Sequence, residues 1–113
     1  MATIELKNMQ VWETEDEGTF RRWSEDHWEV TVQEFDGFAY IQRLDVEEGH
    51  RGKGLGTAIV LTLKDIYGTL IASPASERSR GFFAKLGEAA VREELNGQAI
   101  WPLDQGYGVF IVE

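Results

Sequence analysis

The sequence of 113 residues lacks cysteine, which excludes disulfides and thiol nucleophiles and mildly favours a cytoplasmic location. It has only two histidines, which argues against a zinc site, so we expect no metal. No apolar run approaches the roughly 20 residues that cross a membrane, and the segment Met1–Leu6 does not resemble a signal peptide. We therefore expect no membrane partner. With two prolines and no low-complexity tract, nothing marks a domain boundary, and the length suits one domain, residues 1–113.

Basic residues are also scarce, because 11 lysines and arginines oppose 20 aspartates and glutamates, a net charge of −9. The segment Met1–Glu48 carries 13 acidic and 4 basic side chains, whereas residues 49–113 carry 7 of each. An acidic half repels nucleic acid, so we expect no nucleic-acid partner, and it suits a cationic substrate. Alternatively, the acidity serves only to keep a small protein soluble.

Hydrophobic periodicity predicts the order of strands and helices. Alternating or short apolar runs predict strands at Thr3–Thr14, Trp28–Phe35, Phe38–Val46, Thr69–Ser73 and Gly106–Val112. Helical spacing predicts helices at Lys53–Tyr67 and, after an N-cap at Ser76, at Glu77–Leu86. Asp36-Gly37 predicts a hairpin turn, Phe20 and Trp23 indicate a short helix within Thr19–Asp26, and residues 91–101 are ambiguous. The order predicts an α+β (mixed α/β) fold, a central, mostly antiparallel sheet with helices packed on it.

Four glycines lie between a predicted strand and a predicted helix: Gly49, Gly52, Gly54 and Gly56. Glycine lets the backbone approach a ligand closely, and successive N–H groups at the start of a helix attract anions. Arg51, Lys53 and the hydroxyl of Thr57 add charge and a hydrogen-bond donor. Leu55 stands where a P-loop requires lysine, and Thr57 stands where the dinucleotide fingerprint requires glycine, so neither pattern fits. The loop therefore predicts a site for another phosphate-bearing cofactor.

Two motifs in the right order carry a resemblance to a known family. The run Arg51-Gly52-Lys53-Gly54-Leu55-Gly56, preceded by Leu44-Asp45-Val46, matches Arg/Gln-x-x-Gly-x-Gly/Ala after a strand. The later run from Ser76 to Glu88 falls on Asn-x-x-Ala-x-x-Phe-Tyr-x-Lys-x-Gly-Phe and agrees at Phe82, Lys85 and Gly87. The sequence from Phe38 to Glu88 thereby resembles the GCN5-related N-acetyltransferase (GNAT) family.

The resemblance implies that acetyl-coenzyme A (acetyl-CoA) binds and that its acetyl group passes to a primary amine by direct attack in a ternary complex. It places the pantetheine arm and the thioester carbonyl beside backbone groups of the strand at Leu44 and Val46. It assigns the pyrophosphate to the loop residues Arg51, Gly52, Lys53, Gly54, Leu55, Gly56 and Thr57. Ser76 replaces an asparagine that often contacts the cofactor, and Phe83 replaces the tyrosine that commonly protonates the departing thiolate.

These departures leave the catalytic groups open, because a phenyl ring at Phe83 cannot donate a proton. Tyr40 and Tyr107 are candidates for a replacement acid. Candidates for the base that accepts the amine proton are Glu34, Asp45, His27 and His50. The family places two helices after its first strand, and this chain has room for at most one. The alternative is therefore a non-catalytic coenzyme A-binding or protein-interaction module on the same scaffold.

The partner expected from the resemblance is an amine, either a cationic small molecule or an amine of a protein. The four tryptophans are expected in the core or in an interface: Trp12, Trp23, Trp28 and Trp101. An exposed aromatic patch among them would indicate a homodimer.

Overall fold

A computed structural model describes residues 4–90, 94–95, 98–99 and 107–113 of the chain, and side chains over 4–87 and 107–113. The strands in it are β1 Gln10–Thr14, β2 Gly18–Glu25, β3 Trp28–Phe35, β4 Phe38–Val46, β5 Leu70–Ala72, β6 Glu88–Ala90, β7 Glu94–Leu95, β8 Gln98–Ala99 and β9 Val109–Val112. The helices are α1 Leu55–Tyr67 and α2 Glu77–Leu86, and a 3₁₀ turn covers Glu48–His50. Neither described helix is long and apolar enough to span a bilayer.

Seven of these strands form one sheet in the order β1-β2-β3-β4-β5-β9-β6, and β7 and β8 pair separately. Of the six neighbouring pairs described in this sheet, β4 and β5 are parallel and the other five are antiparallel. This confirms the predicted α+β fold, a mostly antiparallel sheet with helices packed on it. The predicted hairpin is also present, since Phe35 pairs with Phe38 and Gly37 has φ 88°.

The predicted short helix within Thr19–Asp26 is wrong, because these residues form the strand β2. Phe20 pairs across the sheet with Gln33, and Trp23 pairs with Val30. Residues three apart on a strand point to opposite faces, and both rings are buried, Trp23 in the apolar core and Phe20 stacked on Trp12. The helix-like spacing therefore arises from a strand that is covered on two sides.

Three other predicted strands are shorter than expected: β5 covers Leu70–Ala72 instead of Thr69–Ser73, and the first and last strands begin later in the sequence. The first begins at Gln10 instead of Thr3, and the preceding residues pack against α1, where the amide of Ile4 donates to Thr62 Oγ1 at 3.0 Å. The last begins at Val109. Within the ambiguous region, β7 and β8 pair antiparallel with each other. Trp101 and the remaining residues of 91–106 lie outside the described part of the chain.

Apolar side chains form one cluster on each face of the sheet. The first cluster joins β2–β5 and β9 to both helices and includes fully buried Val30, Val32, Ile59 and Leu63. Burying side chains of this size stabilises the fold by about 1.5–3 kcal/mol each. The second cluster, on the opposite face, comprises Phe38, Tyr40, Ile71 and Val109, with Phe35 and Ile111 packed against them. The first cluster therefore fixes where α1 and α2 sit.

The strands β4 and β5 separate after three paired residues, which opens the sheet. Their pairing runs from Ala39 to Ile41 on β4, and β5 ends at Ala72. At this point β4 contains a bulge, because Thr31 pairs with Arg43 whereas Val32 pairs with Ile41. A bulge bends a strand and increases its twist. Among the described residues, the rest of β4 pairs only with β3, and its other edge faces an opening beside both helices.

Candidate functional site

A cleft of about 290 Å³ lies at this opening, between the end of β4, the loop that follows it and the two helices. From β4 and the loop it is lined by Leu44, Asp45, Val46, His50, Arg51, Gly52 and Gly54. From α1 and α2 it is lined by Leu55, Gly56, Thr57, Arg78, Ser79, Phe82 and Phe83. The floor is thus apolar, and the mouth carries cationic and hydrogen-bonding groups.

The glycine loop turns into α1 through two left-handed residues, Gly52 with φ 78° and Gly54 with φ 82°. Gly54 is the N-cap of α1, and its carbonyl accepts from the amide of Ala58 at 2.9 Å. The first N–H groups of a helix have no acceptor within it and carry partial positive charge. An added Cβ at either glycine would meet nothing within 4 Å. The space beside these glycines is therefore open, and with the first N–H groups of α1 it fits a phosphate group.

The close contact between the two helices depends on Gly56. A Cβ there would meet the ring of Phe82 at 3.3 Å, which is tighter than an ordinary van der Waals contact. Phe82 in turn packs edge-on against Phe83, with centroids 4.9 Å apart. The glycine in the first turn of α1 thus allows α2 to approach and close one wall of the cleft.

Cations are more numerous than carboxylates around the cleft. Arg51 donates from Nε to the carbonyl of Val46 at 2.7 Å, which ties the loop to the end of β4. Arg78 reaches the cleft from the first turn of α2. The carboxylate that lines the cleft, Asp45, accepts from Arg43 at 3.3 Å. This balance suits an anionic ligand.

Most of the predicted cofactor residues come together in this cleft. Those that line it are Leu44, Val46, Arg51, Gly52, Gly54, Leu55, Gly56, Thr57 and Phe83. Lys53 lies in the same loop and is exposed, but it is not part of the lining. Ser76 is the N-cap of α2, and its Oγ accepts from the amide of Ser79 at 3.2 Å. Ser76 therefore stabilises the first turn of the helix that forms this wall of the cleft.

Arg78 and Ser79 line the cleft, and the sequence motifs did not single them out. The available signal was the predicted N-cap at Ser76, because residues in the first turn after a cap lie at the helix N-terminus, where anions bind.

Glu34 does not lie in the cleft. Its carboxylate accepts from Arg21 at 2.9 and 3.3 Å and from the hydroxyl of Tyr67. Tyr67 is the last residue of α1 and Leu55 the first, so this cluster is about 18 Å of helix away from the phosphate loop. Burial alone would raise the pKa of Glu34, but the hydrogen bonds from Tyr67 and Arg21 outweigh it and lower that pKa. This placement gives no support to Glu34 as the catalytic base.

The two candidate acids also lie outside the cleft lining. Tyr40 is buried in the cluster on the second face of the sheet. Burial raises its pKa, and a hydrogen bond with Ser73 partly offsets that rise. Tyr107 is half-buried just before β9. The structure therefore brings neither phenol to the cleft, whereas two of the other candidates, Asp45 and His50, line it.

The sequence from residue 9 to residue 87 matches the family model described as Acetyltransferase (GNAT) family. This chain belongs to the GNAT family. The match includes the glycine loop and α2, so both walls of the cleft come from the family domain. No curated protein matches the sequence significantly.

Solved GNAT structures share the fold. An acetyltransferase of Staphylococcus aureus has a TM-score of 0.64 at 11% identity, with 83% of this chain and 66% of that chain covered. Tetrahymena GCN5 has a TM-score of 0.64 at 16% identity, with 82% and 67% covered. The PaiA N-acetyltransferase of Thermoplasma acidophilum, solved in complex with coenzyme A, has a TM-score of 0.55 at 13% identity, with 83% and 59% covered. The chain spans about two thirds of the length of these relatives.

Proposed function

We propose that this protein binds acetyl-CoA in the cleft and catalyses direct transfer of the acetyl group to a primary amine in a ternary complex. The observation that carries the proposal is the glycine loop, which joins the splayed edge of β4 to the N-terminus of α1. Open space beside Gly52 and Gly54 leaves room for a pyrophosphate at the first N–H groups of α1. Family membership and a relative solved with coenzyme A support the same ligand.

The residues of β4 supply the next part of the site. Leu44 and Val46 line the cleft on the stretch of β4 that no longer pairs with β5. Backbone groups on such an edge hydrogen-bond an extended ligand as a neighbouring strand would. A backbone N–H there also polarises a carbonyl whose oxygen gains charge. We assign the pantetheine arm and the thioester carbonyl to this edge.

Acetyl-CoA supplies an activated thioester, whose C–S bond breaks as the bond from the amine nitrogen to the acetyl carbon forms. The chain must hold the amine in line with this carbon and accept its proton. We assign the proton acceptor to Asp45, which lines the cleft at the end of β4. Phe83 is buried and cannot protonate the leaving thiolate, so that proton comes from water. At the end of β4, Asp45 and the neighbouring Glu47 and Glu48 supply negative charge that suits a cationic amine.

The loop assignment is tested with a matched pair of glycine variants. Gly54 and Gly68, at opposite ends of α1, have φ 82° and 83°, and an added Cβ at either meets nothing within 4 Å. Gly54 is in the αL region (ψ 5°), whereas Gly68 has ψ −52°, outside that region. Gly54→Ala should therefore cost about 1–2 kcal/mol of stability, and Gly68→Ala at least as much. Isothermal titration with acetyl-CoA should show at least a roughly tenfold loss of affinity for Gly54→Ala alone, because its Cβ would occupy the space proposed for the phosphate and displace it from a backbone N–H, and one such hydrogen-bonding contact is worth about that much. Equal affinity of the two variants would contradict the assignment.

Catalysis is tested separately by thiol release from acetyl-CoA across a panel of primary amines and basic peptides. We expect Asp45→Asn to abolish turnover and to leave the affinity for acetyl-CoA unchanged. Turnover that survives in Asp45→Asn would remove Asp45 from the proposed mechanism.

A non-catalytic coenzyme A-binding module is the second candidate, and Phe83 favours it. Its ring is 6% exposed and packs with Phe82 at the wall of the cleft, where the family usually has a phenol. Tight acetyl-CoA binding without thiol release for any amine on the panel would support this candidate over the enzyme.

A further inference from the structure

His27, Glu47 and His50 form a cluster at the mouth of the cleft, although they are far apart in the sequence. Their possible ligand atoms all lie within 4.8 Å of one another. His27 Nδ1 is 3.2 Å from Glu47 Oε2, and the two imidazole rings stack with centroids 3.6 Å apart. The chain has no other histidine. We propose that this cluster binds a divalent transition-metal ion, with Zn²⁺ as the best chemical match.

The backbone fixes the three residues relative to one another. His27 lies in the turn between β2 and β3, and its carbonyl accepts from the amide of Glu47 at 2.8 Å. The carbonyl of Glu47 accepts from the amide of His50, also at 2.8 Å, within the 3₁₀ turn. Two consecutive backbone hydrogen bonds therefore fix the backbone positions of all three residues before any ion arrives, so binding has to order only their side chains, which lowers its entropic cost.

The donor set and spacing fit zinc chemistry. Two imidazoles and one carboxylate are a common zinc set that leaves a fourth position open. Ligand atoms about 2.1 Å from a tetrahedral ion are about 3.4 Å apart, close to the 3.2 Å between His27 Nδ1 and Glu47 Oε2. Because the rings are nearly parallel, at 13°, one ring must turn about its Cβ–Cγ bond to share an ion. His50 is only partly buried, so its ring has room to turn while His27 Nδ1 keeps its distance to Glu47.

The surroundings of the cluster favour a cation. The surface around His27 is lined by acidic residues of β2, β3, β4 and the turn between β2 and β3, namely Glu25, Glu29, Asp45 and Asp26. Some of these carboxylates already pair with basic side chains, as Glu25 does with Lys7 at 3.2 Å and Asp45 with Arg43 at 3.3 Å. Asp26 and Glu48, beside the ligands in sequence, add further negative charge. A divalent ion is therefore attracted to this surface, in contrast to the phosphate loop next to it.

The test uses the full-length protein without a polyhistidine tag, freed of metal and titrated with Zn²⁺ alone, in the absence of acetyl-CoA. We expect one ion per chain by isothermal titration. Co²⁺ used as a probe should give the intense visible absorption of a site with low coordination number. His27→Gln, His50→Gln and Glu47→Gln should each weaken Zn²⁺ binding by more than about tenfold, since even outer-shell partners cost 10–100-fold.

Glu48→Gln is the matched control, because it removes the same charge from the same 3₁₀ turn but lies outside the cluster. It should bind Zn²⁺ almost as the original protein does, and circular dichroism checks that every variant is folded. No Zn²⁺ binding, equal losses in Glu47→Gln and Glu48→Gln, or a loss in only one of the histidine variants would each overturn the proposal.

Discussion

Glu34 is held by two partners of different kinds at the C-terminal end of α1. Arg21 pairs with it in a fork, and the phenol of Tyr67 donates to it from the helix. Burial, followed by the hydrogen bond to Glu34, raises the pKa of Tyr67 well above its usual range, so the phenol stays protonated. This side-chain cluster therefore fastens α1 to β2 and β3 and has a structural role.

Tyr67→Phe should destabilise the protein by about 2 kcal/mol at pH 7, since hydrogen bonds to charged groups contribute roughly 1.5–3 kcal/mol. The pKa of Glu34 in the folded state lies below its ordinary value of 4.5. Its stabilisation is therefore present above that value and is lost as the pH falls through the folded pKa. The difference between the two proteins should narrow over this acid range.

Urea unfolding at pH 7, 5 and 3 measures both effects in the same series. Tyr107→Phe is the control, because it removes a half-buried phenol outside the Arg21–Glu34–Tyr67 cluster. A stability difference for Tyr67→Phe that stayed constant down to pH 3 would show that its cause is not the charged form of Glu34.

At the scale of helices and strands, the stability of α2 and its place in the cleft wall depend on its first turn. The Oγ of Ser76 accepts from the amide of Ser79, and the same turn places Arg78 and Ser79 in the cleft wall. Ser76→Ala should cost about 1 kcal/mol of stability and should also weaken acetyl-CoA binding, because the turn frays. Ser76→Asn keeps a capping acceptor and should restore both. Urea unfolding and acetyl-CoA titration of the two variants measure this, and unchanged stability in Ser76→Ala would refute it.

The elements that sequence patterns predicted well are those whose signals are local. The hairpin of β3 and β4 has the Asp36-Gly37 turn, and α2 has Ser76 as its cap. The strand β2 was missed because Phe20 and Trp23 are buried on opposite faces, which imitates helical spacing. Periodicity reveals that a strand alternates, but tertiary packing decides which face the helices cover.

The same limit applies to the candidate site. The glycine loop was recognisable because φ near +80° and a helix start both depend on adjacent residues. The positions of Tyr40 and Glu34 depend on strand register and on the bulge opposite Thr31 and Val32, and no local pattern signals either feature. The meeting of His27 with His50 depends likewise on pairing between distant segments.

At the scale of the whole molecule, the unequal distribution of charge is the property that matters most for binding an anionic cofactor. The net charge of −9 lies in Met1–Glu48, which forms β1 to β4, whereas the phosphate loop and both helices follow it. An anionic cofactor is therefore repelled by the acidic strands, most of whose carboxylates lie outside the cleft lining, and attracted by the cations that line the cleft. Since the Debye length is about 10 Å at 0.1 M salt, distant repulsion is screened at moderate salt, and contacts of a few ångströms dominate the affinity.

Variants of Arg78 and Arg80 distinguish the attraction by cations near the cofactor from the effect of the protein's total charge. Both are exposed on α2, but only Arg78 lines the cleft. Arg78→Gln should weaken acetyl-CoA binding several-fold at low salt, because a nearby partly exposed charge pair contributes about 1 kcal/mol. Arg80→Gln changes the net charge equally and should bind as the original protein does. Titrations from low to high salt should show the Arg78→Gln deficit shrinking as screening grows, whereas equal deficits in both variants would show that affinity follows total charge instead of position.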